Sequence, residues 1–176
     1  MALYGAAVES GLHCLLYLID PADDGRPSSK DLAEFQGVSP SSVAKLFTQL
    51  EKAGIVTATE GVEGGFSLGR PAATITVLDV VDALEGDKPL FQCRDIRENC
   101  ALYRDDNTRR PSRGVCEIHQ IMLDAEQRMR AELDSRTLAD LAGTVSAKLP
   151  ARQHQETTDW FRQRRAVRRQ RGAPGT

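Results

Sequence analysis

Three cysteines lie in a stretch of the chain that has little apolar periodicity. Cys93, Cys100 and Cys116 are separated by 6 and then 15 residues, among charged residues and turn-formers. A thiol that only fills a core usually lies in an apolar stretch, so these three indicate a disulfide, a metal site or a reactive thiol. Thiolates select iron–sulfur clusters, zinc or copper(I). Zinc sites usually contain a tight CxxC pair, which this sequence lacks, so the wide spacing favours a cluster held by a loop.

A carboxylate and an imidazole lie four residues apart near the N-terminus. Residues 3–19 are predicted to form a helix, and Glu9 and His13 share one of its faces. The apolar stripe of this helix lies elsewhere and consists of Val8, Leu12, Leu15 and Ile19. Such a pair can bind one iron ion together, and the alternative is an ordinary surface hydrogen bond. Cys14, which is surrounded by leucines, is expected to be a core residue.

Local signals divide the following segment into two short helices and a hairpin. Ser28 or Ser29 can cap a helix that Gly37 closes, and Ser39 starts the next one with Pro40 at its first position. The segments IVTATE and FSLGR predict two strands joined by a glycine-rich turn. Thr76 then caps a fourth helix, VLDVVDALEG.

This order of elements predicts a winged helix-turn-helix. In that motif the second helix lies in the major groove of DNA, and its N-terminal residues contact base edges. The candidate DNA-binding residues are therefore on that helix and at the hairpin tip: Ser39, Ser41, Ser42, Lys45, Gly64 and Gly65. The alternative is a helical hairpin with a solvated serine face.

The rest of the chain predicts a loop, a long helix and a polar end. Residues 87–115 show no period, which is typical of a functional or disordered segment. Residues 116–133 form an amphipathic helix with Ile118, Ile121, Met122, Ala125, Met129 and Leu133 on one side. The predicted fold is thus mostly α with a small β-hairpin. The expected division is a DNA-binding domain (1–86), a cluster-binding loop (87–115), a dimerisation helix with a short C-terminal helix (116–149) and a flexible Arg-rich tail (150–176).

Charge and composition limit the possible classes of function. The net charge is −2, but residues 151–176 carry +5 and the first 150 residues carry −7, so a nucleic-acid function must depend on local geometry. No apolar run is long enough for a membrane span, and the N-terminus lacks the features of a signal peptide. We therefore expect a cytoplasmic protein, in which structural disulfides are rare.

The motifs together resemble a known family. DLAEFQGVSPSSVAKLFTQLEKAGIV, GVEGGFSLGRP and ITVLDVVDALEG, followed by a cysteine-bearing loop and a long helix, resemble the Rrf-type winged-helix regulators, which include IscR, NsrR and RsrR. The resemblance covers residues 1–147 or so. It implies a homodimer that binds a palindromic double-stranded DNA operator and holds an iron–sulfur cluster. One departure is the acidic wing, with Glu60 and Glu63 where family members often carry a basic residue; Arg70 or the Arg-rich tail would then compensate.

The same resemblance implies two possible ligand sets. Some family members, such as RsrR, combine Glu and His of one subunit with two cysteines of the other. That pattern matches Glu9, His13, Cys93 and Cys116 and implies a [2Fe-2S] cluster. In the other set Cys100 joins Cys93, Cys116 and Glu9, and a [4Fe-4S] cluster becomes possible.

The leading hypothesis is a transcription regulator, a repressor, that senses redox state or nitric oxide through the cluster. Two alternatives remain from the residues themselves: a metal-free regulator in which two of the loop cysteines form a disulfide, and a zinc-binding regulator. An enzyme that uses Glu9, His13 and a cysteine is disfavoured, because no nucleophile motif is visible and no catalytic residue can be named.

Overall fold

A computed structural model describes residues 3–19, 25–61, 64–86, 88–94, 96, 101 and 114–172. Cys100 and Glu63, both named above, lie outside these ranges. The chain divides into two compact units. The first consists of residues 1–86 and 133–176, and the second of residues 87–132.

The described residues form seven α-helices and one hairpin. In chain order these elements are α1 (Ala6–Leu16), α2 (Ser29–Gln36), α3 (Pro40–Lys52), β1 (Val56–Thr59), β2 (Gly65–Leu68), α4 (Val77–Glu85), α5 (Glu117–Asp134), α6 (Leu138–Lys148) and α7 (Ala151–Gly172), with a short 3-10 turn at Ala72–Thr74. The predicted helices and strands are thus present, although α1 is shorter at both ends than the expected 3–19.

Capping residues set the bounds of the two helices before the hairpin. The Ser28 hydroxyl accepts a hydrogen bond from the Asp31 backbone N–H, and the Asp31 carboxylate accepts from the Ser28 backbone N–H, which is a complete capping box. Gly37 ends α2 in the left-handed conformation, with φ 66°. Pro40 occupies the first turn of α3, where a missing N–H costs nothing.

The hairpin packs closely on the segment before α2. β1 and β2 are antiparallel, with Val56 opposite Leu68 and Thr59 opposite Gly65. The Phe66 N–H donates to the Pro27 carbonyl over 3.0 Å. A Cβ atom at Gly65 would come within 2.2 Å of the Arg26 carbonyl oxygen, so only glycine allows this approach.

One hydrophobic core serves the whole first unit. It contains Cys14 and Leu15 of α1 together with Phe47 and Leu50 of α3, all fully buried. The other members are Val8, Leu18, Leu32, Ala33, Val43, Leu46, Ile55, Val56, Ile75, Val80, Val81, Leu84 and Leu138. The sequence-based prediction that Cys14 is a core residue is therefore confirmed.

The chain returns to this core after α5. Leu138 at the start of α6 is fully buried, and its N–H donates to the Ile75 carbonyl over 2.8 Å. Thr76 and Thr137 face each other in an antiparallel bridge, and each begins its helix with a capping box. The short C-terminal helix that the sequence predicted is therefore part of the first unit.

The C-terminal segment differs from expectation. In place of a flexible tail over residues 150–176, the structure has the 22-residue helix α7. Its aromatic pair, Trp160 and Phe161, packs on Phe35 of α2 with ring centroids 5.0 Å and 4.9 Å away. Burial of these rings holds a helix that is otherwise polar.

The second unit contains most of α5, and its apolar side chains are largely exposed. None of the described residues of α5 is buried. Ile118 is 67% exposed and Ile121 is 64% exposed, which leaves an apolar stripe open. Residues before α5 pack on another side of it, since the Leu90 N–H donates to Glu126 Oε2 over 3.1 Å and the Phe91 ring lies 5.9 Å from that of His119. None of the helices in the described ranges combines the length and apolar character needed to cross a membrane.

The burial of Cys14 leads to a prediction about the reactivity of its thiol. Burial raises the pKa of the Cys14 thiol to about 11, so at pH 8 almost none of it is the reactive thiolate. In folded protein stripped of metal by a chelator, iodoacetamide is expected to modify the exposed Cys93 about a hundred times faster than Cys14, as measured by peptide mass spectrometry. In urea the difference should disappear. Equal rates in the folded protein would contradict the buried position of Cys14.

Candidate nucleic-acid interface and metal ligands

The N-terminal half of α3 presents a polar surface opposite the core. Ser41, Ser42 and Lys45 are exposed, while Val43 and Phe47 on the other side are fully buried. Ser39, which directly precedes the helix, is exposed as well, so all four candidate residues at this helix are accessible.

The first turn of α3 is chemically suited to an anion. The Ser39 hydroxyl bonds the Ser41 hydroxyl over 2.7 Å and does not cap the helix. The backbone N–H groups of the first turn therefore lack a side-chain cap from Ser39, and the helix dipole places partial positive charge there. Hydroxyls, N–H groups and the Lys45 ammonium together form a surface that can bind phosphate or base edges.

The wing glycines have a packing reason of their own. Gly65 fits against the Arg26 carbonyl, and a Cβ atom at Gly64 would come within 2.2 Å of the Thr59 carbonyl oxygen. Arg26 reaches the same strand end, because its Nη1 donates to Thr59 Oγ1 over 3.0 Å. The glycines thus allow the hairpin to close, whatever they contact on DNA.

Arg70, which was expected to offset the acidic wing, is engaged elsewhere. Its guanidinium pairs with the Asp79 carboxylate over 2.7 Å and donates to the Thr74 carbonyl. Burial alone would raise the pKa of Asp79, but the hydrogen bond from the Thr76 backbone and the Arg70 guanidinium lower it overall. Arg70 therefore stabilises the start of α4.

The sequence analysis did not identify the structural contacts that three arginines make. Arg164 pairs with Glu34, Arg168 reaches Asp31, and Arg26 contacts the wing. The available signal was the spacing of Phe161, Arg164 and Arg168, which recur on one face of a helix.

Glu9 and His13 lie exposed on α1, away from the core. In the described part of the chain, neither side chain makes a hydrogen bond or an ion pair, so the surface hydrogen bond considered above is not formed. They border an open pocket of about 590 Å³. Its other lining residues are mostly apolar: Tyr4, Gly5, Ala6, Val8, Leu12, Leu16, Leu141 and Val145. Two donor side chains without partners beside an apolar concavity are available to bind a metal.

The two described loop cysteines belong to the second unit. Cys93 is exposed, and Cys116 is partly buried directly before α5, where its carbonyl accepts from the Gln120 N–H over 2.8 Å. Within the described ranges, neither forms a disulfide. Within the described ranges of one chain, no three His, Cys, Asp or Glu side chains lie close enough together to hold a metal ion.

Comparison with known proteins gives one family and a consistent fold. The model of the Rrf2 family, described as iron-dependent transcriptional regulators, matches residues 4–144. Among solved structures, CymR of B. subtilis, titled the global cysteine regulator, is 23% identical over 82% of this chain and 98% of its own, with a TM-score of 0.63. IscR of T. potens is 23% identical over 85% of this chain and 93% of its own, with a TM-score of 0.63. The oxidized form of S. aureus CymR is 24% identical over 81% of this chain and 96% of its own, with a TM-score of 0.56. The winged-helix fold is confirmed.

The exposed face of α3 predicts how Lys45 acts. Lys45→Ala is expected to weaken binding to a duplex selected by the wild-type protein from a random library, because an ammonium near phosphate is lost. The slope of log affinity against log salt should fall by about 0.9 for each Lys45 removed, as measured by fluorescence anisotropy. Arg70→Ala is the matched control and should leave the slope unchanged, since Asp79 holds that guanidinium. An unchanged slope for Lys45→Ala would contradict a phosphate contact.

Proposed function

Because the chain belongs to the Rrf2 family of transcription regulators, we propose that it is a homodimeric repressor that senses redox state or nitric oxide through a [2Fe-2S] cluster. Family membership makes it a DNA-binding winged-helix regulator and not an enzyme. The proposal adds the cluster, its signal and a palindromic operator. It also assigns DNA binding to residues 1–86, the cluster loop to 87–115 and dimerisation to 116–149.

The observation that carries the cluster proposal is the exposed pair on α1. A carboxylate and an imidazole on one helix face, with no partner in the described part of the chain, supply two of the four ligands that an iron–sulfur cluster needs. The core does not account for their presence, since the buried side of α1 is formed by other residues. A metal does account for a histidine and a glutamate spaced by one helical turn.

The other two ligands in this proposal are the thiols of Cys93 and Cys116, neither of which forms a disulfide within the described ranges. Carboxylate, imidazole and thiolate donors together suit iron. No group of three such side chains is gathered within the described ranges of one chain, so the proposal shares the cluster between subunits: Glu9 and His13 of one protomer with the cysteines of its partner. When bound, the cluster would supply one-electron chemistry at this position.

The residues of α1 offer a route from the ligands to DNA. Cys14 and Leu15 lie on the buried side of α1 and share the core with Phe47 and Leu50 of α3. A Cβ atom at Gly11 would come within 2.6 Å of Leu84, so α1 also lies tightly on α4. Because close-packed cores move as discrete bodies, a displacement of α1 at its Glu9 face would be passed to α3.

The open stripe of α5 supports the dimer. Ile118 and Ile121 are the most exposed large apolar residues of this helix, and such a stripe is typical of a helix that pairs with another. A dimer would present two α3 helices to half-sites about 34 Å apart, which is the spacing of successive major grooves on one side of DNA.

A metal-free thiol sensor is the second candidate, and the exposed thiol of Cys93 favours it. The structure of CymR from S. aureus in an oxidized form, with 24% identity to this chain, fits the same possibility. A zinc-binding regulator and a [4Fe-4S] cluster that uses Cys100 are the remaining alternatives. Each predicts a different metal and sulfide content.

His13 provides the test of the mixed ligand set. Protein purified without oxygen is expected to be red-brown, with two irons and two sulfides per cluster, and His13→Ala should lose most of the iron and visible absorption because one ligand is gone. His154→Ala, which changes an exposed histidine of α7, is the matched control and should retain both.

Other results would identify the alternatives. Four irons per cluster, lost in Cys100→Ala, would favour the [4Fe-4S] set. Zinc alone, or colourless protein whose thiol count falls with oxidant, would replace the cluster proposal with the zinc or thiol sensor. Full iron content in His13→Ala would remove that histidine from the ligand set.

The stripe of α5 makes a separate prediction. Ile121→Glu places a charge in the proposed dimer contact and should convert the dimer to a monomer, as measured by light scattering after gel filtration, because burying an unpaired carboxylate is costly. Asp124→Ala, on the same helix, is the control and should remain dimeric, since this polar residue lies outside the apolar stripe. A dimer in Ile121→Glu would place the interface elsewhere.

A further inference from the structure

Helix α7 lies beyond the part of the chain that the family model matches. The family match ends at residue 144, whereas α7 runs from Ala151 to Gly172. The helix lies on α2 through an aromatic cluster of Tyr17, Phe35, Trp160 and Phe161, with neighbouring ring centroids 4.9–5.3 Å apart. Arg164 also lies over the Trp160 ring at 5.4 Å.

Two arginines of α7 converge on a buried carboxylate. The Asp31 side chain is only 5% exposed and already accepts hydrogen bonds from the backbone and hydroxyl of Ser28. Arg164 Nε lies 3.6 Å from one Asp31 oxygen, and Arg168 Nη1 lies 3.4 Å from the other. A buried charge needs such partners, so α7 has a defined position beside the N-terminus of α2.

Arg168 continues from this carboxylate to the wing. Its Nη1 donates to the Gly64 carbonyl over 2.9 Å, and its Nη2 donates to the Arg26 carbonyl over 3.0 Å. One guanidinium therefore connects α7, the start of α2, the segment before α2 and the end of the hairpin turn. Arg26 extends the connection, because its side chain bonds Thr59 at the end of β1.

The wing needs such support for two reasons. It is a two-stranded hairpin, a unit of marginal stability in water, and although Val56 and Phe66 pack on the core, Thr59, Glu60 and Gly61 at its turn end are exposed. Its turn carries Glu60 and Glu63, which phosphates repel. A wing that DNA does not attract must be held in position by the protein.

We propose that α7 is a brace that holds the wing in its DNA-binding position, and that Arg168 is the positioning residue. The two Nη atoms of Arg168 already contact Asp31, Gly64 and Arg26, so a phosphate would have to displace internal partners. Arg168 therefore acts through the hairpin, by reducing the freedom that DNA binding would otherwise remove. This inference requires DNA binding by the winged helix and does not depend on the cluster.

Arg168→Ala tests the brace. Affinity for the selected duplex is expected to fall by about tenfold while the salt slope stays that of the wild type. Hydrogen exchange of the hairpin amides, including the Phe66 N–H, should become faster, and iron content should stay constant. Arg152→Ala is the matched control on the same helix. Its guanidinium pairs with Glu156 and is largely exposed, so affinity and exchange should not change.

Three results would overturn the proposal. Unchanged affinity would show that the wing needs no brace. A salt slope lower by about 0.9 for each Arg168 removed would show a direct phosphate contact. Higher affinity would show that α7 restrains the wing from DNA. If Arg168→Ala does not fold, Arg168→Lys carries the affinity and hydrogen-exchange comparisons, because lysine keeps the charge but loses the forked donor geometry.

Discussion

The buried carboxylate of Asp31 is the interaction on which the arrangement around the DNA-binding motif depends. It accepts from the Ser28 backbone and hydroxyl and so fixes where α2 begins. Its Oδ2, which accepts both Ser28 bonds, lies 3.4 Å from Arg168 Nη1, and its Oδ1 lies 3.6 Å from Arg164 Nε. A carboxylate that caps a surface helix normally remains solvated, but here the Asp31 side chain is only 5% exposed. Removing one partner of a buried pair leaves an uncompensated charge, so helix capping, α7 docking and wing position are coupled at one residue.

Local signals explain why most of the fold could be predicted from the sequence. Ser28, Gly37, Pro40 and Thr76 act on their own helix ends, and each does in the structure what its type and position indicate. Helix α7 could not be predicted in the same way. Its few apolar side chains give no continuous stripe, and Arg168 has its partners more than 100 residues away in the chain. A charge pattern that is satisfied by distant residues looks the same, in sequence, as a solvated polar tail.

The candidate site also has one part that the sequence predicts and one part that it does not. The shared face of Glu9 and His13 follows from helical geometry alone, and the structure shows both exposed there. What approaches that face could not be predicted from one chain, because in the proposal the cysteine ligands would come from a second copy. The wing glycines show the opposite difficulty. Gly64 and Gly65 were singled out for DNA contact, but their small size is already required by the carbonyls of Thr59 and Arg26. A pattern that points to a function can thus also have a packing cause.

Sensing and DNA reading would therefore use opposite sides of one small core. Glu9 and His13 occupy the exposed side of α1, while Leu15 on its buried side shares the core with Phe47 of α3. A change of charge among the proposed ligands need not unfold anything to matter, since a small rotation of α1 repacks residues that α3 depends on. The base of the wing adjoins this route, since the Phe66 ring lies 4.5 Å from that of Phe47, while its turn end is bonded by Arg168. A displacement of α3 would reach the base of the wing while Arg168 keeps the turn end in place, so loss of operator binding would come from mismatch between parts of one surface rather than from loss of structure.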